Sequence, residues 1–523
     1  MDPCLTQQIP VSLPVWRKYS SAPKIAGYTS ITSLTPMVQK FLGSLPDSEG
    51  QLNSDQLFGR VNSFQGSGSC VVETVARKKR KAFCKVTHLI DPVRKLQAYY
   101  ENPVKGERRK KDKLENPENQ AYIDCMANYL LGQLRERNVS PHFCLFYGGF
   151  RAVADVYRYN ITEYYDSYRK YRVFWERKRE GLFSLYMDVS NPGSVLDTPT
   201  STLSANSFTY STDDSSSSSS CSSSDKSHVT LSNDCPNAAG ELESVESFPS
   251  ADNSDSDESE DSDESEEPAS VYSEFKDFPV MLIFQEEMDG VMDDLLENPE
   301  ETAPEFHDRW IAWTFQVIAA LCAAQGVLGL THNDLHTNNI VYSKTDEPWI
   351  WYKKRDGTVW RVPTFGRIFR IIDFGRAVFR VDKQWFISDD YCRGGDADGQ
   401  YMFDSLVRGE NPKMVYPNPS FDLCRYSVSL IEALFPAMTD STEKIDSPLW
   451  ELLWSWLIDD EGLNVLREED GSERFPDFDL YQHIAAHVFG AKPQEQLSNE
   501  IFKSYVIDSS TVGDWETVYP LFC

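Results

Sequence analysis

Between residues 189 and 272 the chain is dominated by Ser, Asp and Glu, and this tract limits what the rest can build. It holds the six serines Ser215 to Ser220 and the acidic run Asp255 to Glu267, with only scattered apolar residues. Such a segment cannot bury enough apolar surface to offset the entropy of ordering it, so it is expected to stay disordered. It interrupts a fold rather than ending one. Pro279-Val280-Met281-Leu282-Ile283-Phe284 follows at once and reads as a buried strand. The tract therefore sits between two strands, and the chain must close its core around it.

Charge follows the same division. Residues 191–272 carry 18 Asp or Glu and one Lys, which accounts for −17 of the formal −30. The remaining body is moderately acidic, and a nucleic-acid-binding role for the chain as a whole is not expected. Eleven scattered cysteines without a Cys-x-x-Cys pair fit thiols in a reducing cytoplasm or nucleus better than a disulfide framework or a zinc site. Met1 to Trp16 shows no basic-then-apolar signal region. The longest apolar helical run, around Ile318 to Leu330, is read as too short for a bilayer, so no membrane partner is expected.

Length alone does not decide the number of domains, since 40% apolar residues permit one large core. Residues 1–50, rich in Ser, Pro and Thr, are read as a mobile arm. From Leu57 to Val86, apolar alternation broken by glycine predicts a three-stranded meander. Tyr122, Met126, Tyr129, Leu130 and Leu134 then share one helical face between Pro117 and Arg137. A second long helix, striped by Trp310, Trp313, Val317, Ile318 and Leu321, delivers the chain to His332. Ile350-Trp351-Tyr352 and Val359-Trp360 flank Asp356-Gly357, a hairpin signal.

Two polar clusters beside apolar runs carry the chemistry. The first is His332-Asn333-Asp334-Leu335-His336-Thr337-Asn338-Asn339, and the second is Asp373-Phe374-Gly375 after Ile371-Ile372. The spacing His-x-Asp-x-x-x-x-Asn, followed by Asp-Phe-Gly, suits a phosphotransferase, with Asp334 facing an acceptor hydroxyl and Asn339 and Asp373 reaching magnesium. The triphosphate of ATP also needs backbone donors and a lysine. Lys85 lies in the apolar strand context Phe83-Cys84-Lys85-Val86, where burial is costly unless the ammonium meets an anion. A solvated edge-strand lysine is the plainer alternative. Gly66-Ser67-Gly68 supplies two glycines of a phosphate-covering loop, with Val71 at the third position.

In this order the motifs resemble the protein-kinase-like superfamily, and most closely the divergent kinase-like proteins of large DNA viruses and protists. The resemblance spans about residues 55–490. It implies an α+β, bilobal protein-kinase-like fold with a small β-rich N-lobe (51–288, interrupted by the 189–272 insertion) and a larger helical C-lobe (289–523). It further implies an ATP- and Mg-dependent Ser/Thr protein kinase with a protein hydroxyl as acceptor and Asp334 as catalytic base. Lys85 would meet ATP phosphates and pair with Asp124, with Glu118 as competitor for that pairing. Glu286 and Met288 would mark the connector whose backbone recognises adenine. Asp422 would brace the catalytic loop, and His332 and Phe374 would be packing residues.

Departures keep other readings open. Asn333 stands where many protein kinases carry Arg, so control by loop phosphorylation is not implied. His336 replaces the usual Lys, as in the aminoglycoside and choline kinases. No Ala-Pro-Glu follows Asp373, and Asn339 to Asp373 spans 34 residues, longer than the family's usual hairpin. A small-molecule kinase of the same fold, or a pseudokinase or scaffold, is therefore the alternative. Serines set before acidic residues, as in Ser256-Asp257-Glu258, would suit an acidophilic kinase acting on the insertion. Arg77 to Lys81 and Arg108 to Lys111 resemble nuclear import patches, the first also readable as a solvated hairpin tip.

Overall fold

Pairing on both sides places the strand Lys79–His88 inside a sheet rather than at its edge, and the rest of the molecule is arranged around it. In the computed structural model the described residues are 24–32, 58–64, 68–74, 77–97, 100, 110–188, 270–381, 384–392, 395–401, 403, 416–435, 446–468, 471–513 and 516–522. The tract expected to be disordered lies outside them, except that the strand after it already begins at Ser270.

The protein is mixed α+β with sheets that are almost wholly antiparallel. Seven strands form the first sheet: β1 (Tyr28–Thr32), β2 (Phe58–Phe64), β3 (Ser69–Thr74), β4 (Lys79–His88), β5 (Phe146–Asn160), β6 (Ser184–Asp188) and β7 (Ser270–Glu286). Their order is β1-β5-β7-β4-β3-β2, with β6 on the far part of β7. β2 to β4 are the meander read from alternation. β1 falls within the stretch expected to be a mobile arm, and it is held by pairing with β5 at Tyr28↔Ala154 and Thr29↔Val153. Its Tyr, Thr and Ile are strand formers, but five residues with one buried side chain are too short a run to fix a partner so far along the chain.

Helix α1 (Gln120–Glu136) crosses this sheet, and its buried face joins Met281, Ile283 and Phe146 in one core. The approach is close. A Cβ on Gly149 of β5 would stand 2.3 Å from Cys125 Sγ, so only glycine lets α1 lie at this distance. Asn119 caps the helix by accepting from Ala121 N. Asp389, far downstream, accepts from Gln120 N at 3.2 Å and Lys113 Nζ at 2.7 Å, placing a carboxylate at the positive end of the helix.

β7 leads through residues 287–289 into β8 (Gly290–Val291), the edge of a second sheet with β9 (Ile340–Lys344) and β12 (Arg367–Ile371). Between β9 and β12 the chain makes the Asp-Gly hairpin β10 (Trp349–Lys354) and β11 (Val359–Pro363), which closes a sheet with β15 (Val506–Ile507) and β16 (Val518–Leu521). β13 (Phe379–Val381) and β14 (Gln384–Phe386) pair alone. Helix α2 (His307–Leu328) is apolar on all sides and runs through the core, with α3 (Phe421–Leu434), α4 (Pro448–Trp456) and α5 (Phe478–His487) around it. Counted from Pro304, this helix is the one among the described residues long and apolar enough to cross a membrane, longer than the run read from sequence. Its most apolar window is 94% buried against the rest of the chain. The buried Gln316 is satisfied inside: it donates to Arg367 O and accepts from Phe369 N.

His142, between α1 and β5, ties the β12 sheet to the β10–β11 sheet. One ring nitrogen bonds Phe369 O at 2.8 Å and the other Tyr352 Oη at 2.7 Å. Burial pulls its pKa from the ordinary 6.5 down to about 3. The unfolded chain therefore binds a proton that the folded chain refuses, so stability is full above about pH 6.5 and falls as the pH drops toward 3. Urea midpoints measured from pH 7 to pH 4 should decline, and His142→Gln should flatten part of that decline.

Candidate active site

The strand alternation of β4 sends Cys84 to one side of the sheet and Lys85 to the other, toward α1. Lys85 is 9% exposed, and its ammonium lies 2.8 Å from Asp124 Oδ2 and 2.7 Å from Asp373 Oδ1. One ammonium thus ties the sheet, the helix and the Asp-Phe-Gly turn together. Asp124 is used completely: its Oδ1 accepts from Asn128 Nδ2 at 2.8 Å and from Phe374 N at 2.9 Å. Glu118 lies before the first turn of α1, so the competition for Lys85 falls to Asp124.

The two carboxylates respond differently. Burial, aided by the charge of Asp373, pushes Asp124 up despite Lys85. Burial also opposes ionisation of Asp373, but the Lys85 ammonium outweighs it and holds Asp373 below the usual carboxylate range. Burial disfavours the charged form of Lys85 as well, and the pair of carboxylates reverses that, so its net direction is up. At neutral pH the lysine is a fixed cation with Asp373 ionised beside it.

β9 and β12 pair with Ile340 opposite Ile371, which brings Asn339 beside Ile372 and Asp373; Ile372 N donates to Asn339 O at 3.0 Å. The 34-residue separation is taken up by the β10–β11 hairpin, which leaves this pairing undisturbed. Asn339 Nδ2 donates to Asp334 O at 2.9 Å and meets His336 Nε2 at 3.1 Å. Among the described residues no group of three or more His, Cys, Asp or Glu gathers as a metal site. Asn339 and Asp373 are two oxygen donors, which matches magnesium's habit of taking one or two protein ligands and completing its shell with phosphates and water.

The loop that carries Asp334 is braced from below. Asp422, fully buried in the first turn of α3, accepts from His332 N at 2.9 Å and Asn333 N at 2.8 Å. His332 Nε2 donates to Ile372 O at 2.8 Å, and its Nδ1 accepts from Asp334 N at 3.3 Å, so the proton sits on Nε2. Asn333 has φ 64° and Asp373 φ 63°, left-handed positions that Asn and Asp tolerate better than most residues. The Asn333 side chain donates to Thr331 and Arg376 backbone oxygens and accepts from Tyr401 Oη at 3.0 Å. An asparagine here completes the turn internally.

Other expected residues fall as follows. Gly68 has φ 81°, and a Cβ there would meet the Phe83 ring at 2.9 Å and Cys84 O at 3.0 Å, so the backbone at Gly68 lies tightly against β4. Gly66 lies outside the described residues. Val71 is inside β3, opposite Lys81. Glu286 accepts from Leu145 N at 3.3 Å, and Met288 Sδ receives Arg370 Nη1 at 3.3 Å. The connector is thus tied to β12 through Arg370, a link with no mark in the sequence. Arg77 to Lys81 are exposed around the β3–β4 turn. Two groups touching Asp334 were also unforeseen: Tyr481 Oη donates to Oδ1 at 2.9 Å, and Arg376 Nη1 lies 3.4 Å from Oδ2. Arg376 follows the Asp-Phe-Gly directly and could have been suspected; Tyr481, 147 residues past Asp334, could not.

No family model and no curated protein matches this chain.

Removing Lys85 leaves two buried carboxylates without their cation. Lys85→Met should destabilise the fold by roughly 3–5 kcal/mol in urea titration. The double variant Lys85→Met with Asp124→Leu should recover part of that loss, because no unpaired charge then remains on α1.

Proposed function

We propose that this chain is a Mg- and ATP-dependent phosphotransferase of bilobal, protein-kinase-like architecture, and that it passes the γ-phosphate to a Ser/Thr hydroxyl of a protein. The seven-stranded sheet with α1 is the small lobe in this reading, residues 287–289 the connector, and α2 to α5 the helical lobe. The observation that carries it is the convergence of Lys85, Asp334, Asn339 and Asp373 from three separate stretches of chain, with Lys85 only 2.7 Å from Asp373.

Bound Mg-ATP supplies the transferable phosphoryl group and a cation to offset its charge. Lys85 then binds and orients the phosphates, held in place by Asp124. Asp373 and the amide oxygen of Asn339 would hold the cation, while the Asn339 N–H fixes the catalytic loop through Asp334 O. Asp334 orients the acceptor hydroxyl and receives its proton. Asp422 keeps that carboxylate at a set height by pinning His332 and Asn333.

A small-molecule acceptor is the second reading, favoured by the burial of Asp334, which is 4% exposed. A protein side chain has to reach further into the site than a free alcohol does.

Labelled γ-phosphate transfer from ATP, with magnesium, to mixed protein acceptors and to a panel of small alcohols tests both readings. Asp334→Ala should lower transfer on the order of 10²–10⁴-fold while ATP still binds, the range for loss of a general base. Asp373→Ala should abolish the magnesium-dependent part of binding and transfer together. Transfer that survives both substitutions would refute the assignment.

A further inference from the structure

The side chain of Asp334 takes no hydrogen bond from its own loop; both oxygens are held from elsewhere. Tyr481 on α5 donates to Oδ1 at 2.9 Å, and Arg376, past the Asp-Phe-Gly, stands 3.4 Å from Oδ2. The Tyr481 oxygen in turn accepts from Arg425 Nε at 2.7 Å, and Arg425 Nη1 donates to Ser429 Oγ at 3.0 Å. Arg425 lies on α3 one turn after Asp422. Helix α3 therefore grips the loop twice: its backbone through Asp422, and its carboxylate through Arg425 and Tyr481.

This tyrosine has little freedom to leave. Its ring stacks on Phe478 at 5.3 Å, leans on Phe421 at 5.8 Å, and is flanked by Arg425 at 5.2 Å and Arg376 at 5.8 Å. Helix α5 is anchored in addition by His483, which meets Asp459 Oδ2 at 3.1 Å, where Arg474 also binds at 2.7 Å. Hydrogen bonds to ionised groups are about twice as strong as neutral ones, so the chain from Arg425 to Asp334 is a stiff one. A carboxylate offers about four lone-pair positions. One hydrogen bond from Tyr481 and one ion pair with Arg376 orient it and leave room for an acceptor hydroxyl.

We infer that Tyr481 is a positioning residue of the phosphotransfer centre, setting the plane of the Asp334 carboxylate from outside the catalytic loop, so that α5 is a working part of the site. The inference rests on the phosphotransferase reading above. The same contact admits an opposite role, since a hydroxyl 2.9 Å from Oδ1 could occupy the acceptor's own place. The two roles differ in sign.

The test uses the full chain carrying Tyr481→Phe, which keeps the ring and its packing and removes only the hydroxyl. A positioning role predicts kcat lowered roughly 10- to 100-fold, the scale of a small misplacement of a reacting group, with KM for ATP unchanged. Arg425→Lys should lower kcat in the same way, and the double variant should be no slower than the slower single variant, because both act through one hydrogen-bonded chain. A faster or unchanged Tyr481→Phe enzyme would overturn the inference, as would a loss that raises KM for ATP in proportion or adds fully to that of Arg425→Lys. Those results would leave the phosphotransferase reading standing, because the wild-type chain would still transfer phosphate. A wild-type chain that transfers nothing to any acceptor would overturn both.

Discussion

An ammonium enclosed by two carboxylates holds this molecule's working parts together. Lys85 comes from the middle of a sheet, Asp124 from a helix laid across it, and Asp373 from a turn more than two hundred residues later. An arrangement of this kind is a poor way to gain stability, since desolvating three charges costs several kcal/mol per ion and their attraction repays it only with good geometry. Here the geometry is supplied by further donors, Asn128 and the Phe374 N–H, which complete the coordination of Asp124. The fold keeps a cation and an ionised carboxylate fixed side by side, an arrangement suited to a polyanion and its metal ion.

The same economy governs the loop beneath. Asn333 and Asp373 both occupy left-handed backbone positions, each costing on the order of 1–3 kcal/mol unless the surroundings impose it. Asp422 imposes the first by bonding two successive N–H groups, and Lys85 with the β9–β12 pairing imposes the second. Substitution at Asp422 would release the strain and move Asp334 without touching any reacting group. Helix α3 is accordingly a foundation for the site as well as a core helix.

Much of this was legible in the sequence, because it depends on local spacing. Lys85 alternates correctly within its strand, Asp334 and Asn339 are five residues apart on one loop, and the Asp356-Gly357 turn announces a hairpin whose pairing is as expected. The meander and α1 followed from periods of 2 and 3.6. What escaped was set by tertiary contact. β1 is a five-residue strand that exists only because β5 offers an edge. Helix α2 itself was legible in its stripe from Trp310 to Leu321, but the partners that Gln316 finds inside the core were not. Tyr481 reaches Asp334 across 147 residues, and neither its spacing nor its neighbours mark it.

A structure determined with magnesium and a non-hydrolysable ATP analogue tests the central claim most directly. The account predicts magnesium bound by Asp373 and Asn339, with the Lys85 ammonium on the phosphates. Nucleotide bound elsewhere, or a metal ion that ignores Asp373, would contradict it.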